Sequence, residues 1–169
     1  HMKHIKDLPP IKINPKTFLK HEYSLSPLPA WVTKIQKSLF NENIKISNIS
    51  ELMSKDPALV AQVLKVVNSA YYSLPHTITD VKLAIAFLGI HETYRIALSI
   101  SVINSISSDT QKDFQRIWEH SVFTALSSKY LGKKYDRFLT ETDIWAPAIL
   151  HDIGKMVYLK FFPEHYHAI

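Results

Sequence analysis

Three features of this 169-residue chain predict an all-α fold. Apolar residues recur at spacings of three and four along most of its length, and no stretch alternates as a half-buried strand would. Only three glycines occur, too few for the glycine turns of a doubly wound nucleotide fold. The composition, 46% apolar and 21% charged, suits a compact helical domain rather than a disordered chain. We expect about seven helices, with no repeat at a fixed period.

Residues 1–27 carry Pro9, Pro10, Pro15 and Pro27, with Phe18, Leu19 and Tyr23 between them. Proline lacks a backbone donor and biases its predecessor toward extended chain. This segment is therefore expected to be an arm or linker, with residues 28–169 as the helical domain; His1-Met2 reads as a cloning remnant. Pro29 opens the first helix, and Leu28, Trp31, Val32, Ile35, Leu39 and Phe40 form its apolar face. Ser47 is expected to cap a short helix through Ile49, Leu52 and Met53. Asp56-Pro57 is a stronger start, a cap acceptor followed by proline at the first helical position. The helix it opens holds Leu59, Val60, Val63, Leu64, Val66, Val67 and Ala70. So much apolar surface places it centrally in the core, and Tyr71-Tyr72-Ser73-Leu74-Pro75 ends it.

Asp80 caps the next helix, through Val81, Leu83, Ala84, Ile85, Phe87 and Leu88, and Gly89 stops it in a left-handed turn. Another runs from His91 through Tyr94, Ile96, Ala97, Ile100, Val102 and Ile103. Residues 104–113 are polar and read as a loop. Phe114, Ile117, Trp118, Ser121, Val122, Ala125 and Leu126 mark a long helix ending near Gly132, and residues 133–140 connect it onward. Ile144 to about Leu159 is the last full helix, before Phe161-Phe162-Pro163.

The net charge of +5 invites a nucleic-acid reading, but residues 1–20 alone hold five lysines against one aspartate. The rest of the chain is nearly neutral, so the excess reads as a solvated terminus rather than a folded duplex-binding face. A recognition helix over residues 91–103 would offer only His91, Thr93, Arg95 and Ser99 on an otherwise apolar cylinder, which argues against DNA binding. With no cysteine, disulfides and thiolate metal sites are excluded, and a reducing cytoplasm fits. No apolar run is long enough for a membrane span, and no leader is evident.

The chemistry-bearing residues are His120, His151 and Asp152, followed by Ile153-Gly154-Lys155. Imidazole and carboxylate are ligands for Zn, Mn, Fe or Mg beside a phosphate ester. Packed helices approach within about 8–10 Å, so a ligand from each can meet one ion. Asp152 can also bond either imidazole directly with no metal, and Lys155 can pair with Asp152 or touch a phosphate. Asn68 reads as a cap or turn residue, and Tyr71 and Tyr72 as half-buried packing with hydroxyls outward.

Trp118-Glu119-His120-Ser121 followed by Ala148-Ile149-Leu150-His151-Asp152-Ile153-Gly154-Lys155 resembles the HD superfamily of metal-dependent phosphohydrolases. Asp56-Pro57-Ala58-Leu59, Val67-Asn68-Ser69-Ala70-Tyr71-Tyr72 and Ala84-Ile85-Ala86-Phe87-Leu88-Gly89 narrow the likeness to the HDOD family, the HD-related output domain of bacterial signalling proteins. The resemblance runs from about Leu28 to about Tyr166. It implies an all-helical, non-catalytic module of cytoplasmic signal transduction that requires no cofactor. Such a module works through a protein partner or another signalling domain, or through a small ligand such as a nucleotide, held between the helices of His120 and His151. Here His120, His151 and Asp152 are retained as candidate metal ligands. The family's final aspartate would fall beyond Ile169, which implies a domain cut short at its C-terminal end, and the Gly-Tyr-Pro signature of the cyclic di-GMP phosphodiesterase branch is absent. His165 and His167 are the substitute ligands within reach in sequence. The alternative implied by the superfamily is hydrolysis of a nucleotide or cyclic dinucleotide, with Lys155 as the catalytic cation.

Overall fold

Apolar residues at helical spacing fold as that pattern requires. The computed structural model describes residues 4–12, 14, 25–39, 45–106, 111–135 and 141–169. A 3-10 turn at Ile5–Asp7 precedes helices α1 (Ala30–Leu39), α2 (Ile46–Ser54), α3 (Pro57–Val67), α4 (Val81–Leu88), α5 (Ile90–Ile106), α6 (Gln111–Tyr135), α7 (Glu141–Leu150), α8 (Ile153–Phe161) and α9 (Pro163–His167). No strand occurs among the described residues. Phe40, Pro15, Phe18, Leu19, Tyr23 and parts of both expected loops lie outside them.

The two acidic starts behave as their chemistry dictates. Asp56 accepts the Leu59 amide at 3.0 Å and Asp80 accepts the Leu83 amide at 2.8 Å, each satisfying an amide that the helix cannot pair. Gly89 closes α4 at φ 82° and ψ 162°, a region open to glycine but strained for other residues.

Several boundaries differ from expectation. Ser47 is not the cap of α2. The helix starts two residues earlier, with Lys45 at the cap position and Ile46 as its first residue, and the Ser47 hydroxyl turns to Asn48 Oδ1. The helix expected to reach Ala70 stops at Val67. Asn68 leaves it and clamps the next loop, donating to Ile78 O and accepting from the Ile78 amide, both at 2.8 Å. One amide side chain thus mimics a strand neighbour and holds residues 68–78 as a closed loop. Leu28 lies outside α1 and is exposed, while α5 and α6 extend inward into the stretch read as a loop.

The helix expected over 144–159 is broken at His151-Asp152. His151 Nδ1 bonds the Ala148 carbonyl at 2.7 Å, taking an acceptor near the end of α7. The chain then turns, and α8 restarts at Ile153. A side chain competing for backbone acceptors is a recognised way to end a helix.

Helix α5 is the axis of the core, packed by α1, α3, α4, α7 and α8. Ile96, Ala97 and Ile100 are wholly enclosed, each isoleucine contributing roughly 1.5–3 kcal/mol by burial. This enclosure leaves α5 little free surface to present. Helices α6 and α7 run antiparallel: Gly132 faces Ile144, Lys129 lies by the Trp145 ring, and His120 meets His151. That pairing brings the C-terminal end of α7 to the level of His120.

Candidate metal centre

The α6/α7 pairing and the turn after α7 place three distant donors together. His120 projects from the middle of α6, His151 closes α7, and Asp152 lies in the turn before α8. His120 Nε2 and His151 Nε2 are 3.3 Å apart. Asp152 Oδ2 lies 3.4 Å from the first and 3.3 Å from the second. Four-coordinate zinc with ligands at about 2.1 Å holds neighbouring donors about 3.4 Å apart. The three atoms therefore trace one face of such a shell. His151 Nδ1 faces the Ala148 carbonyl, which fixes the ring and turns Nε2 toward the cluster, the orientation a ligand needs. Two imidazoles and one carboxylate suit Zn, Fe or Mn better than Mg, which prefers oxygen ligands.

The cluster already contains a cation of its own. Lys155 Nζ donates to Asp152 Oδ2 at 2.7 Å, the same oxygen that faces both imidazoles. Hydrogen bonding from Lys155, with the nearby imidazoles, holds the Asp152 carboxyl below its usual range against the cost of burial. The Asp152 carboxylate in turn raises the Lys155 ammonium above its usual value.

The site is open to solvent. The His120 side chain is 55% exposed. The two imidazoles lie tilted with centroids 5.2 Å apart, close enough for one ion to touch both. Neither His165 nor His167 joins the cluster. His165 Nε2 contacts the Pro9 carbonyl at 2.8 Å and His167 approaches Asp113 at 3.7 Å. Among the described residues, the grouping of potential metal ligands is His120, His151 and Asp152.

A second charged centre was missed by sequence reasoning. Lys129 is fully buried on α6 and donates to Glu92 Oε1 on α5. Arg95 donates to Glu92 Oε2 at 2.8 Å and the Tyr72 hydroxyl to Oε1 at 3.1 Å. Tyr72 therefore turns its hydroxyl inward, against expectation, because a buried carboxylate offers a stronger acceptor than its surroundings. The rings of Tyr71, Tyr72 and Trp145 lie 5.2, 5.5 and 5.7 Å from Lys129 Nζ, within cation–π range. Burial raises the Glu92 pKa, but the bond and charge of Lys129, then Arg95 and Tyr72, outweigh it and hold the carboxyl below its usual value. The signal was present: Ile117, Ser121, Ala125 and Lys129 share one i+4 row facing the core.

The HDOD domain family profile matches residues 25–169. An uncharacterized protein of Treponema pallidum (strain Nichols) is 26% identical over 137 residues, 81% of this chain and 26% of that protein. An HDOD domain protein of unknown function from Geobacter sulfurreducens superposes with a TM-score of 0.62 at 23% identity, over 88% of this chain and 50% of that one. A provisionally assigned metal-dependent phosphohydrolase from Shewanella amazonensis superposes with a TM-score of 0.66 at 20% identity, over 90% of this chain and 60% of that one. The chain thus spans about a quarter of the length of the curated relative and half or somewhat more of the two structures. At these identities the structural likeness is one of fold.

Proposed function

Because this chain belongs to the HDOD domain family, we propose that it is a non-catalytic regulatory module of bacterial signal transduction. His120, His151 and Asp152 then serve as a surface cation site rather than a hydrolytic centre. One observation carries this reading: the carboxylate oxygen nearest both imidazoles is already satisfied by Lys155. Lys155 already supplies this carboxylate with a positive charge, and an entering ion would share Asp152 with it. Such a site stabilises the turn between α7 and α8 in either state and responds to metal.

Contact with a protein partner is supported by the apolar surface of α6. Phe123 is 71% exposed, and Tyr130, Leu131 and Tyr135 are more than half exposed along the same helix. Exposed apolar side chains grouped in this way mark contact surfaces. No helix among the described residues is long and apolar enough to cross a membrane.

The alternative is a phosphohydrolase of nucleotides or cyclic dinucleotides, favoured by the tetrahedral spacing of the three donors. A divalent ion there would supply Lewis-acid chemistry to a phosphate ester. Lys155 would leave Asp152 to steady charge developing on the phosphoryl group.

Purified protein loaded with Zn or Mn, then assayed on nucleotide and cyclic dinucleotide substrates with added Mn or Mg, separates the two readings. The regulatory reading expects metal uptake that Asp152→Asn weakens, and no turnover above the protein-free rate. Turnover that Asp152→Asn abolishes overturns it.

A further inference from the structure

A cavity of about 600 Å³ lies where the C-terminal part of α6 faces the junction of α4 and α5. Lys133 and His120 are thirteen residues apart on α6, which at 1.5 Å per residue is about 20 Å. The cavity is thus separate from the candidate metal centre. Its volume is in the range of small-molecule pockets.

Its lining has an uncommon combination of chemistry. Tyr71, Tyr72 and Tyr130 supply aromatic rings, Arg95 and Lys133 supply cations, and Glu92 is the acid among the lining residues. Tyr130 and Phe87, which also borders the cavity, are more than half exposed, so their rings are accessible to a ligand. Arg95 is held at one end by Glu92 through a 2.8 Å bond, so its planar group is fixed in orientation. The Arg95 side chain is still 30% exposed, so guanidinium hydrogens that Glu92 does not take remain open to the cavity, and an oxyanion is the acceptor that matches them. Lys133 adds a second positive charge at the rim, and tyrosine faces stack planar rings without regard to their substituents.

We propose that this cavity binds a planar heterocycle carrying a phosphate group, of nucleoside monophosphate size. The phosphate lies against Arg95 and Lys133, and the ring lies against Tyr71 and Tyr130. The inference does not depend on metal binding, and it places the small-ligand site at the far end of α6 from His120, rather than between the His120 and His151 helices, where the sequence had suggested it.

The test is titration of the 169-residue protein, in excess chelator, with each of the four ribonucleoside monophosphates, and separately with adenosine and inorganic phosphate. Calorimetry or amide chemical shifts report binding. At least one nucleotide is expected to saturate below about 1 mM and to bind more tightly than either adenosine or phosphate alone. Lys133→Glu and Tyr130→Ser, both at exposed positions whose folding circular dichroism can verify, should each weaken it at least about tenfold. Asp152→Asn should leave it unchanged, which distinguishes this cavity from the metal centre. No saturation by any nucleotide in that range, equal binding of phosphate or adenosine alone, or indifference to both Lys133→Glu and Tyr130→Ser would overturn the proposal.

Discussion

Lys129→Met removes a buried ammonium that ties α5 to α6, and its cost can be worked from the contacts it loses. Removing one partner of a buried ion pair costs about 3–5 kcal/mol, chiefly because the other charge is stranded. Glu92 is not wholly stranded here: Arg95 still donates to Oε2 and Tyr72 to Oε1. That residual pairing brings the electrostatic part toward the lower bound. The ring contacts to Tyr71, Tyr72 and Trp145 add about 0.5–2 kcal/mol. Methionine recovers part of the packing, since the lysine stem and the thioether have similar length. The net loss is about 3 kcal/mol, against a total stability of roughly 5–15 kcal/mol for a domain. In urea, with a slope of about 1–3 kcal/mol/M, the midpoint should fall by roughly 1–3 M. The double variant Lys129→Met with Glu92→Leu should be more stable than the sum of the single losses, because neither charge is then left alone. An unchanged midpoint in Lys129→Met, or strict additivity in the double variant, would refute the buried pair as described.

The remaining expectations concern smaller features. The same Glu92 makes stability depend on pH with a definite sign: its folded carboxyl lies below the ordinary 4.5, so the unfolded chain takes up the proton first as pH falls. Its contribution is complete above that value and disappears as pH drops through the folded pKa; Glu92→Gln should flatten the acid limb of a stability–pH curve measured by urea unfolding. Asp152→Asn should weaken zinc binding in calorimetry by at least about tenfold, since outer partners of metal ligands alone are worth about 10–100-fold. Asn68→Ala removes both bonds to Ile78 and should cost about 1–2 kcal/mol, with accelerated hydrogen exchange at the Ile78 amide as the local readout. Asp56→Ala and Asp80→Ala should each cost about 1 kcal/mol, and the two losses should add in thermal or urea unfolding because the caps belong to different helices.

What could be read from the sequence was what depends on neighbours along the chain. Asp56-Pro57, Asp80 and Gly89 act within one helical turn, and the structure uses each at the expected end of a helix. The i+3/i+4 apolar rows of α3 and α5 likewise needed no knowledge of their partners. Readings failed where a side chain found a better partner than its local one. His151 bonds the Ala148 carbonyl and helps to break a helix that periodicity alone would continue. Asn68 reaches ten residues on to Ile78, and Tyr72 reaches Glu92 across twenty.

The contrast between the two charged centres shows why one was visible and the other was not. His120, His151 and Asp152 are residue types with a narrow range of uses, so their order alone suggested convergence. Lys129 and Glu92 are common surface residues, and only their place on core-facing rows marks them. Yet both centres rest on the same α6/α7 pairing: Trp145 lies beside Lys129 and its indole donates to Ser99 on α5, while the far end of α7 carries His151 to His120. A one-residue slip of α7 along α6 would move its side chains by about 100° around the helix. That slip would take Trp145 out of the core and His151 off the cluster together. The buried ion pair, with the indole next to it, therefore positions the exposed site: it holds α6 and α7 against α5 in the register that lets three distant donors meet.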